Sequence, residues 1–312
     1  MISAPGKVLW IGSYTVVFGG LAHVIAIDKR VRCEVCESQR PIYETNFGVF
    51  EGKGNELIQS VLEEFEREEG KVPPLRVKLM NDREFIRNGR KTGLGSSSAA
   101  TVALTACIYK YLHGRLDLGE IYVKAQRANW RRQGGIGSGF DVAAAVFGSV
   151  VYRTFTDPIK VDSYHEPLKL GDKVSMIVGL SGRPSSTVEL VKRFIEGRSK
   201  IEPLMKLIDE ENQNAINLLK RGKIDAAALH TRLARNILAQ AAKTVGVNLN
   251  GEMGKVIDEA EENGAYVSLS PGAGGGELYF ALGDDLASVE AKWRKRGLTV
   301  FYVKEDMGVR EE

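Results

Sequence analysis

The sequence predicts an α+β protein of two lobes, residues 1–160 and 161–312. Three observations carry that prediction. Short, alternating, β-branched runs open the chain. Long helical periodicities dominate after residue 187, and a stretch rich in Asp, Pro and Gly (157–172) separates the two textures. At 312 residues the chain is long enough to bury two cores.

In the first lobe, residues 7–11, 15–18 and 23–36 read as strands. Residues 55–69 read as a helix, because Leu57, Ile58, Val61, Leu62 and Phe65 fall on one stripe. Residues 75–80 alternate as a strand. Residues 97–112 are almost entirely apolar, so they form a helix buried on most sides. Two further helices, 118–131 and 141–147, precede a strand at 149–155. The second lobe begins with a strand at 174–178 and helices at 187–196, 202–220 and 224–242. It closes with a helix at 252–263, strands at 265–269 and 278–282, a helix at 286–296 and a strand at 299–303.

Composition excludes several classes of partner. The 43 basic and 40 acidic residues are intermixed and give a net charge of +3, so neither a nucleic-acid groove nor a basic membrane patch is expected. Any anion must be held by a local site. The start lacks a charged segment followed by a cleavable apolar run, so no signal peptide is expected. The uncharged run 92–109 is rich in Gly, Ser, Thr and Ala and suits a buried helix better than a membrane span. Cys33, Cys36 and Cys107 suit a reducing, cytoplasmic setting. Cys33 and Cys36 stand three apart in a strand and point to opposite faces, and no histidine has ligand spacing, so no zinc site is expected.

Three glycine-rich segments carry the chemistry. The first is Lys91-Thr92-Gly93-Leu94-Gly95-Ser96-Ser97-Ser98, which runs directly into the uncharged helix. Glycines let backbone N–H groups approach an anion, and a helix start adds unpaired donors and a positive dipole end. Serine hydroxyls can also ligate Mg²⁺. A serine cap after a glycine turn explains the same residues. The second segment, Gly134 to Asp141 ahead of an alanine-rich helix, offers either a carboxylate aimed into a cleft or a helix cap at Asp141. The third, Ser270-Pro271-Gly272-Ala273-Gly274-Gly275-Gly276, has more glycines than a hairpin needs and suggests close approach to a ligand. The Walker, dinucleotide-binding and protein-kinase signatures are all absent.

Together with Ser3-Ala4-Pro5-Gly6-Lys7-Val8 ahead of Gly12-Ser13-Tyr14, the loops at 93–97 and 272–276 resemble the three motifs of the GHMP kinases, in order and spacing. That superfamily includes galactokinase, homoserine kinase, mevalonate kinase and phosphomevalonate kinase. Within it, residues 91–97 and 136–145, continued by Gly148 to Arg153, most resemble phosphomevalonate kinases. Mevalonate kinases carry N-P-S-G-x-D where this chain has Ile136 to Asp141, and Gly-Glu-His where it has Gly12-Ser13-Tyr14. Their metal-binding glutamate falls near Asn129, where no acid is present.

The resemblance implies an N-terminal α/β lobe of ribosomal-protein-S5-like type and a C-terminal ferredoxin-like α/β sandwich. It implies a kinase using ATP and Mg²⁺, with 5-phosphomevalonate as the acceptor and 5-diphosphomevalonate as the product. Lys7 and Asp141 would flank the reacting oxygen. Gly93, Leu94, Gly95, Ser96, Ser97 and Ser98 would hold the ATP phosphates, with Ser97 on Mg²⁺. Tyr14, Lys91, Ser138, Gly139, Arg183, Ala273 and Gly274 would meet the acceptor, and a homodimer is among the expectations. The alternatives are mevalonate kinase or another alcohol kinase, and a GHMP-fold binding protein without catalysis.

The acceptor's chemistry bears on that choice. An alcohol needs a base, whereas a phosphomonoester with its second pKa near ~6 is largely ionised at neutral pH. Repulsion between phosphates is then the larger obstacle, and cations help more than carboxylates. Ser13 and Asn129 in place of acids, with Lys91 and Arg183 beside site loops, point that way.

Overall fold

The computed structural model describes every residue except 183–186, 248, 250, 251 and 273–275. β1 (Ile2–Ile11) runs into a 3-10 helix, Ser13–Phe18, where the sequence predicts a strand at 15–18. Two consecutive positive φ angles, 118° at Gly12 and 40° at Ser13, take the chain out of extended geometry. Thr15 then donates from both its N–H and its hydroxyl to the Gly12 carbonyl, which overrides the β propensity of Thr-Val-Val-Phe.

β2 (Ala22–Glu37), β3 (Ile42–Thr45), β4 (Gly48–Glu51), α1 (Glu56–Glu69) and β5 (Leu75–Asn81) follow. A small hairpin of β6 (Ile86–Arg87) and β7 (Arg90–Lys91) leads to α2 (Ser96–His113), α3 (Leu118–Arg132) and α4 (Phe140–Phe147). Next come β8 (Val150–Arg153), β9 (Tyr164–Pro167), β10 (Ser175–Leu180), α5 (Thr187–Glu196), α6 (Arg198–Lys220) and α7 (Ile224–Thr244). The chain ends with α8 (Glu252–Glu262), β11 (Val267–Leu269), β12 (Leu278–Gly283), α9 (Ala287–Lys295), β13 (Thr299–Val303) and β14 (Arg310–Glu311).

Two compact units result. One takes Met1–Lys7, Ala26–Pro167 and Asp306–Glu312; the other takes Val8–Ile25 and Leu168–Glu305. Both chain ends thus belong to the first unit, whereas the sequence reading cuts the chain once, at residue 160.

The first unit is built on a sheet of order β14-β1-β2-β5-β3-β4, with β8 and β9 added beside β2. Helix α2 is buried nearly all round up to residue 109, with Val102, Ala103, Leu104 and Ile108 fully enclosed, as the uncharged run there predicts. Cys33 is buried and Cys36 exposed, consistent with strand alternation. The C-terminal segment, which the sequence reading leaves unassigned, is tied in by Arg30. That guanidinium is 2% exposed and donates to Asp306 Oδ2 (2.7 Å), to Ser3 Oγ (2.7 Å) and to the carbonyls of Ser3, Met307 and Gly308. Such a buried cation is tolerable because every arm of its fork finds an acceptor.

In the second unit, β11-β12-β10-β13 form an antiparallel sheet, with Val178 opposite both Phe280 and Phe301. Read in chain order, β10, helices, β11, β12, α9 and β13 give the β-α-β-β-α-β connectivity of a ferredoxin-like layer, as predicted. Helices α8 and α9 close one core around Trp293 and Ile177, and α6 and α7 enclose another around Ile208 and Leu238.

His23 sits wholly buried in this unit. Trp10 Nε1 donates to its Nδ1 (2.6 Å), which fixes the proton on Nε2, and Nε2 donates to the Leu168 carbonyl (2.8 Å). Burial pushes its pKa down to about 4, against a smaller upward pull from the Leu168 hydrogen bond. The folded state therefore holds a neutral ring that the unfolded chain protonates below about pH 6.5. Stability from this group is complete above that pH and is lost as the pH falls toward 4. Between pH 7 and 4.5 wild type should lose about 2 kcal/mol more unfolding free energy than His23→Gln. Parallel urea-denaturation curves for the two proteins at both pH values would refute the assignment.

Candidate active site

The loop from Thr92 to Gly95 is anchored before it turns. Thr92 donates its N–H to Phe85 O (3.1 Å) and its hydroxyl to Glu84 O (2.7 Å). Gly93 and Gly95 then adopt φ of 81° and 87°, which reverses the chain into α2. Gly95 is the N-cap, and no side chain caps the helix. The serine cap that the sequence leaves open is therefore not formed, and the first N–H donors of α2 stay open to an anion. Ser96 and Ser98 are buried, and Ser97 Oγ is buried without a hydrogen-bond partner.

Lys7 comes to this loop from β1. Its backbone N–H donates to Leu94 O (2.8 Å) and its ammonium to Gly93 O (3.0 Å). The ammonium also lies 5.5 Å from the centre of the Phe140 ring. The side chain keeps some solvent contact, yet the protein packed around it lowers its pKa, and the Asp141 carboxylate partly offsets this.

Asp141 does not cap α4. That position belongs to Gly139, at φ 80°, and Asp141 lies in the first turn of the helix. One carboxylate oxygen accepts from the Ser98 hydroxyl and the other from the Val142 N–H (3.0 Å). The loop ahead of it is held from behind. Ser138 O accepts from Tyr152 Oη (2.7 Å) and Thr154 Oγ1 (2.8 Å), and Gly139 O accepts from Gln126 Nε2 (2.7 Å). A Cβ at Gly139 would lie 2.3 Å from Gln126 Oε1, so only glycine fits the clamp. Lys7, the loop at 93–98 and Asp141, far apart in sequence, thus gather in the first unit.

Beside the loop lies a cavity of about 320 Å³. Phe47, Leu57 and Leu79 supply apolar wall, while Lys91, Ser96, Ser97 and Arg132 supply polar groups. Lys91 is exposed at the end of β7, yet the protein packed around it and then the Arg132 charge lower its pKa. Arg132 and the clamp residues Gln126 and Tyr152 escaped the sequence reading. Arg131-Arg132 reads as an ordinary solvated pair at a helix end, and a tyrosine in a strand reads as core.

In the second unit, Gly12 and Ser13 share a cavity of about 500 Å³ with Ser270, Pro271 and Gly272, which brings the first and third motifs together. Tyr14 is 3% exposed and stacks on Phe194 (3.8 Å between centroids, 13° between planes). Its ring belongs to the helical core of that unit. Arg183, Ala273 and Gly274 lie outside the described residues.

Comparison with known proteins places the chain in a family. The family model for the GHMP kinases N terminal domain matches residues 56–149, and that for the GHMP kinases C terminal domain matches residues 203–298. The phosphomevalonate kinase of Saccharolobus solfataricus is 53% identical over 100% of this chain and 98% of that protein. The mevalonate kinase of Archaeoglobus fulgidus is 29% identical, covering 90% of this chain and 91% of its own. Among solved structures, Streptococcus pneumoniae phosphomevalonate kinase in complex with phosphomevalonate and AMPPNP superposes with a TM-score of 0.84, covering 98% of this chain and 100% of that one at 19% identity. With both family domains matched in order and a relative alike along its whole length, the chain belongs to the GHMP kinases.

Proposed function

We propose that this chain transfers the γ-phosphate of ATP to 5-phosphomevalonate, giving ADP and 5-diphosphomevalonate. The 53% identity to a phosphomevalonate kinase over the whole chain carries the choice of acceptor. The gathering of Lys7, the open start of α2 and Asp141 supports the reaction type. Its mevalonate-pathway role and a cytoplasmic setting, which three free cysteines suit, are part of the proposal. So is the division into domains 1–160 and 161–312, which the two family matches straddle.

The roles follow from the contacts. Backbone donors at 93–98 hold the ATP phosphates, and the apolar wall at Phe47 and Leu57 suits the nucleoside. Lys7, oriented by the Gly93 carbonyl, carries positive charge to the transferring group. An ionised oxygen of the acceptor phosphate attacks the γ-phosphorus as the bond to the β,γ-bridging oxygen breaks, and ADP leaves with that electron pair. No proton need be removed from a dianionic acceptor. Asp141, whose carboxylate is occupied by Ser98 and Val142, acts by orienting Lys7 and the acceptor, with Ser138 and Gly139 beside it.

Mg²⁺ fits one feature of the site. Ser97 Oγ is a hard oxygen donor left buried and unpartnered. Among the described residues no three acids, histidines or cysteines gather as a metal site, so phosphate oxygens and water would complete the shell. When bound, the ion would neutralise charge on the nucleotide.

Removing the Lys7 charge should be far costlier than removing a surface lysine. Lys7→Met should lower kcat by about 10²–10³-fold with the melting temperature nearly unchanged. A variant that kept half the wild-type turnover would return Lys7 to the surface.

The loop can be tested through Gly95. A Cβ there would sit 3.0 Å from Lys7 Cγ and 3.1 Å from Lys7 Cε, on a backbone at φ 87°. Gly95→Ala should therefore impair nucleotide binding and, by displacing Lys7, turnover as well. Wild-type affinity for AMPPNP in a folded Gly95→Ala protein would remove the loop from the ATP site.

Acceptor choice is tested by competition. Phosphomevalonate should be used with a kcat/KM at least about tenfold above mevalonate, equivalent to about 1.4 kcal/mol of transition-state preference. Between pH 6 and 8 kcat should show no dependence on a carboxylate base, while Asp141→Asn should still be impaired. Preference for mevalonate would move the chain to the alcohol kinases and leave its fold and ATP site standing.

A further inference from the structure

Lys91 and Arg132 line the cavity that also holds Ser96 and Ser97, and neither makes an ion pair among the described residues. Two like charges brought together without an acid between them raise the energy of the empty site. The acid on the same cavity wall, Glu56, is exposed at the start of α1 and makes no ion pair with either cation. Arg132 is nevertheless held in place: its Nη2 donates to Asn129 Oδ1 (2.7 Å), and Asn129 is 1% exposed. A buried neutral amide aligns the guanidinium without cancelling its charge, as a carboxylate would. The Nε of Arg132 is buried with no partner, and so is Ser97 Oγ. Unsatisfied donors and uncompensated positive charge converge on one cavity, and a polyanion would satisfy both at once.

We propose that Arg132, aligned by Asn129 and acting with Lys91, is a phosphate-binding residue of this site that holds oxygens of the nucleotide polyphosphate. The assignment rests on reading the loop at 93–98 as the ATP phosphate loop. Planar, forked donors suit adjacent phosphate oxygens better than an ammonium does, which gives Arg132 and Lys91 different tasks. An acceptor phosphate offers the same chemistry, so the test must separate the two sources.

Calorimetric titration of the full chain with inorganic tripolyphosphate and, separately, with phosphomevalonate does so. Arg132→Met should weaken tripolyphosphate by about ten- to hundredfold, the loss of one or two charge-assisted hydrogen bonds, and leave phosphomevalonate affinity within twofold. Asn129→Asp keeps the shape of the buried amide but pairs Arg132 internally, and should weaken tripolyphosphate by about tenfold. It decides the matter if Arg132→Met fails to fold. Unchanged tripolyphosphate affinity in either folded variant overturns the proposal, and a loss confined to phosphomevalonate overturns it in favour of the acceptor. Gly95→Ala separates this from the underlying reading. If it weakens tripolyphosphate while Arg132→Met does not, only Arg132 is misassigned; if neither does, the loop itself is.

Discussion

The site depends on one close approach, that of β1 to the loop before α2. At Gly6 a Cβ would lie 2.7 Å from the Leu94 carbonyl oxygen and 2.8 Å from the Phe85 ring, so no other residue lets the strand come this near. The approach allows the Lys7 N–H to bond to Leu94 O at 2.8 Å. That bond sets the height of the Lys7 side chain over the loop. From there its ammonium reaches Gly93 O, and its stem covers Gly95, the residue that turns the chain into α2. Strand, loop and helix start are thus registered by a backbone contact rather than by flexible side chains. Such a contact is a suitable base for chemistry that asks chiefly for positioning.

The second carrier, α4, is located by different means. Its leading loop is clamped by Gln126, Tyr152 and Thr154, which take up the carbonyls of Ser138 and Gly139. Its other end meets the C-terminal segment, where Val309 N–H donates to Val146 O (3.2 Å) and Gly308 leaves no room for a Cβ beside the same carbonyl. That segment is fixed in turn by Arg30, and β14 pairs with β1 at Ile2 and Ser3. The strand bearing Lys7 and the helix bearing Asp141 are therefore braced through the same few C-terminal residues. Ser98 closes the circuit by joining α2 directly to Asp141.

Features set by local physics were legible in the sequence. The buried α2 followed from its uncharged run and the strands and helices after residue 174 from their periodicities, while the ferredoxin-like order came from the family resemblance. Glycines at 93, 95 and 139 marked turns that do require positive φ. What escaped was set by tertiary partners. Residues 15–18 have strand propensity, but two bonds back to Gly12 make them helical. Arg30 and Arg132 look like any surface arginine until the groups around them are known, since an isolated cation carries no signal of burial. The clamp residues are invisible for the same reason: Tyr152 and Gln126 matter through carbonyls supplied elsewhere in the chain. In the candidate site, glycines announce the special backbone geometry, whereas Arg132, Gln126 and Tyr152 are recognised only through their neighbours.

The charges around the loop make a consistent electrostatic picture. Lys7 and the exposed Lys91 both have their pKa lowered by the protein packed around them, and Lys91 also by Arg132. Among the described residues Asp141 opposes this near Lys7, and its carboxylate is already engaged by Ser98. Bound phosphates would restore each lysine toward its ordinary pKa, and that linkage is itself binding free energy. Two anionic phosphates that must meet repel each other more strongly than an anionic phosphate and an alcohol do. A site with Asn129 bracing a cation on the nucleotide side, where an acid would have cancelled it, offsets part of that repulsion.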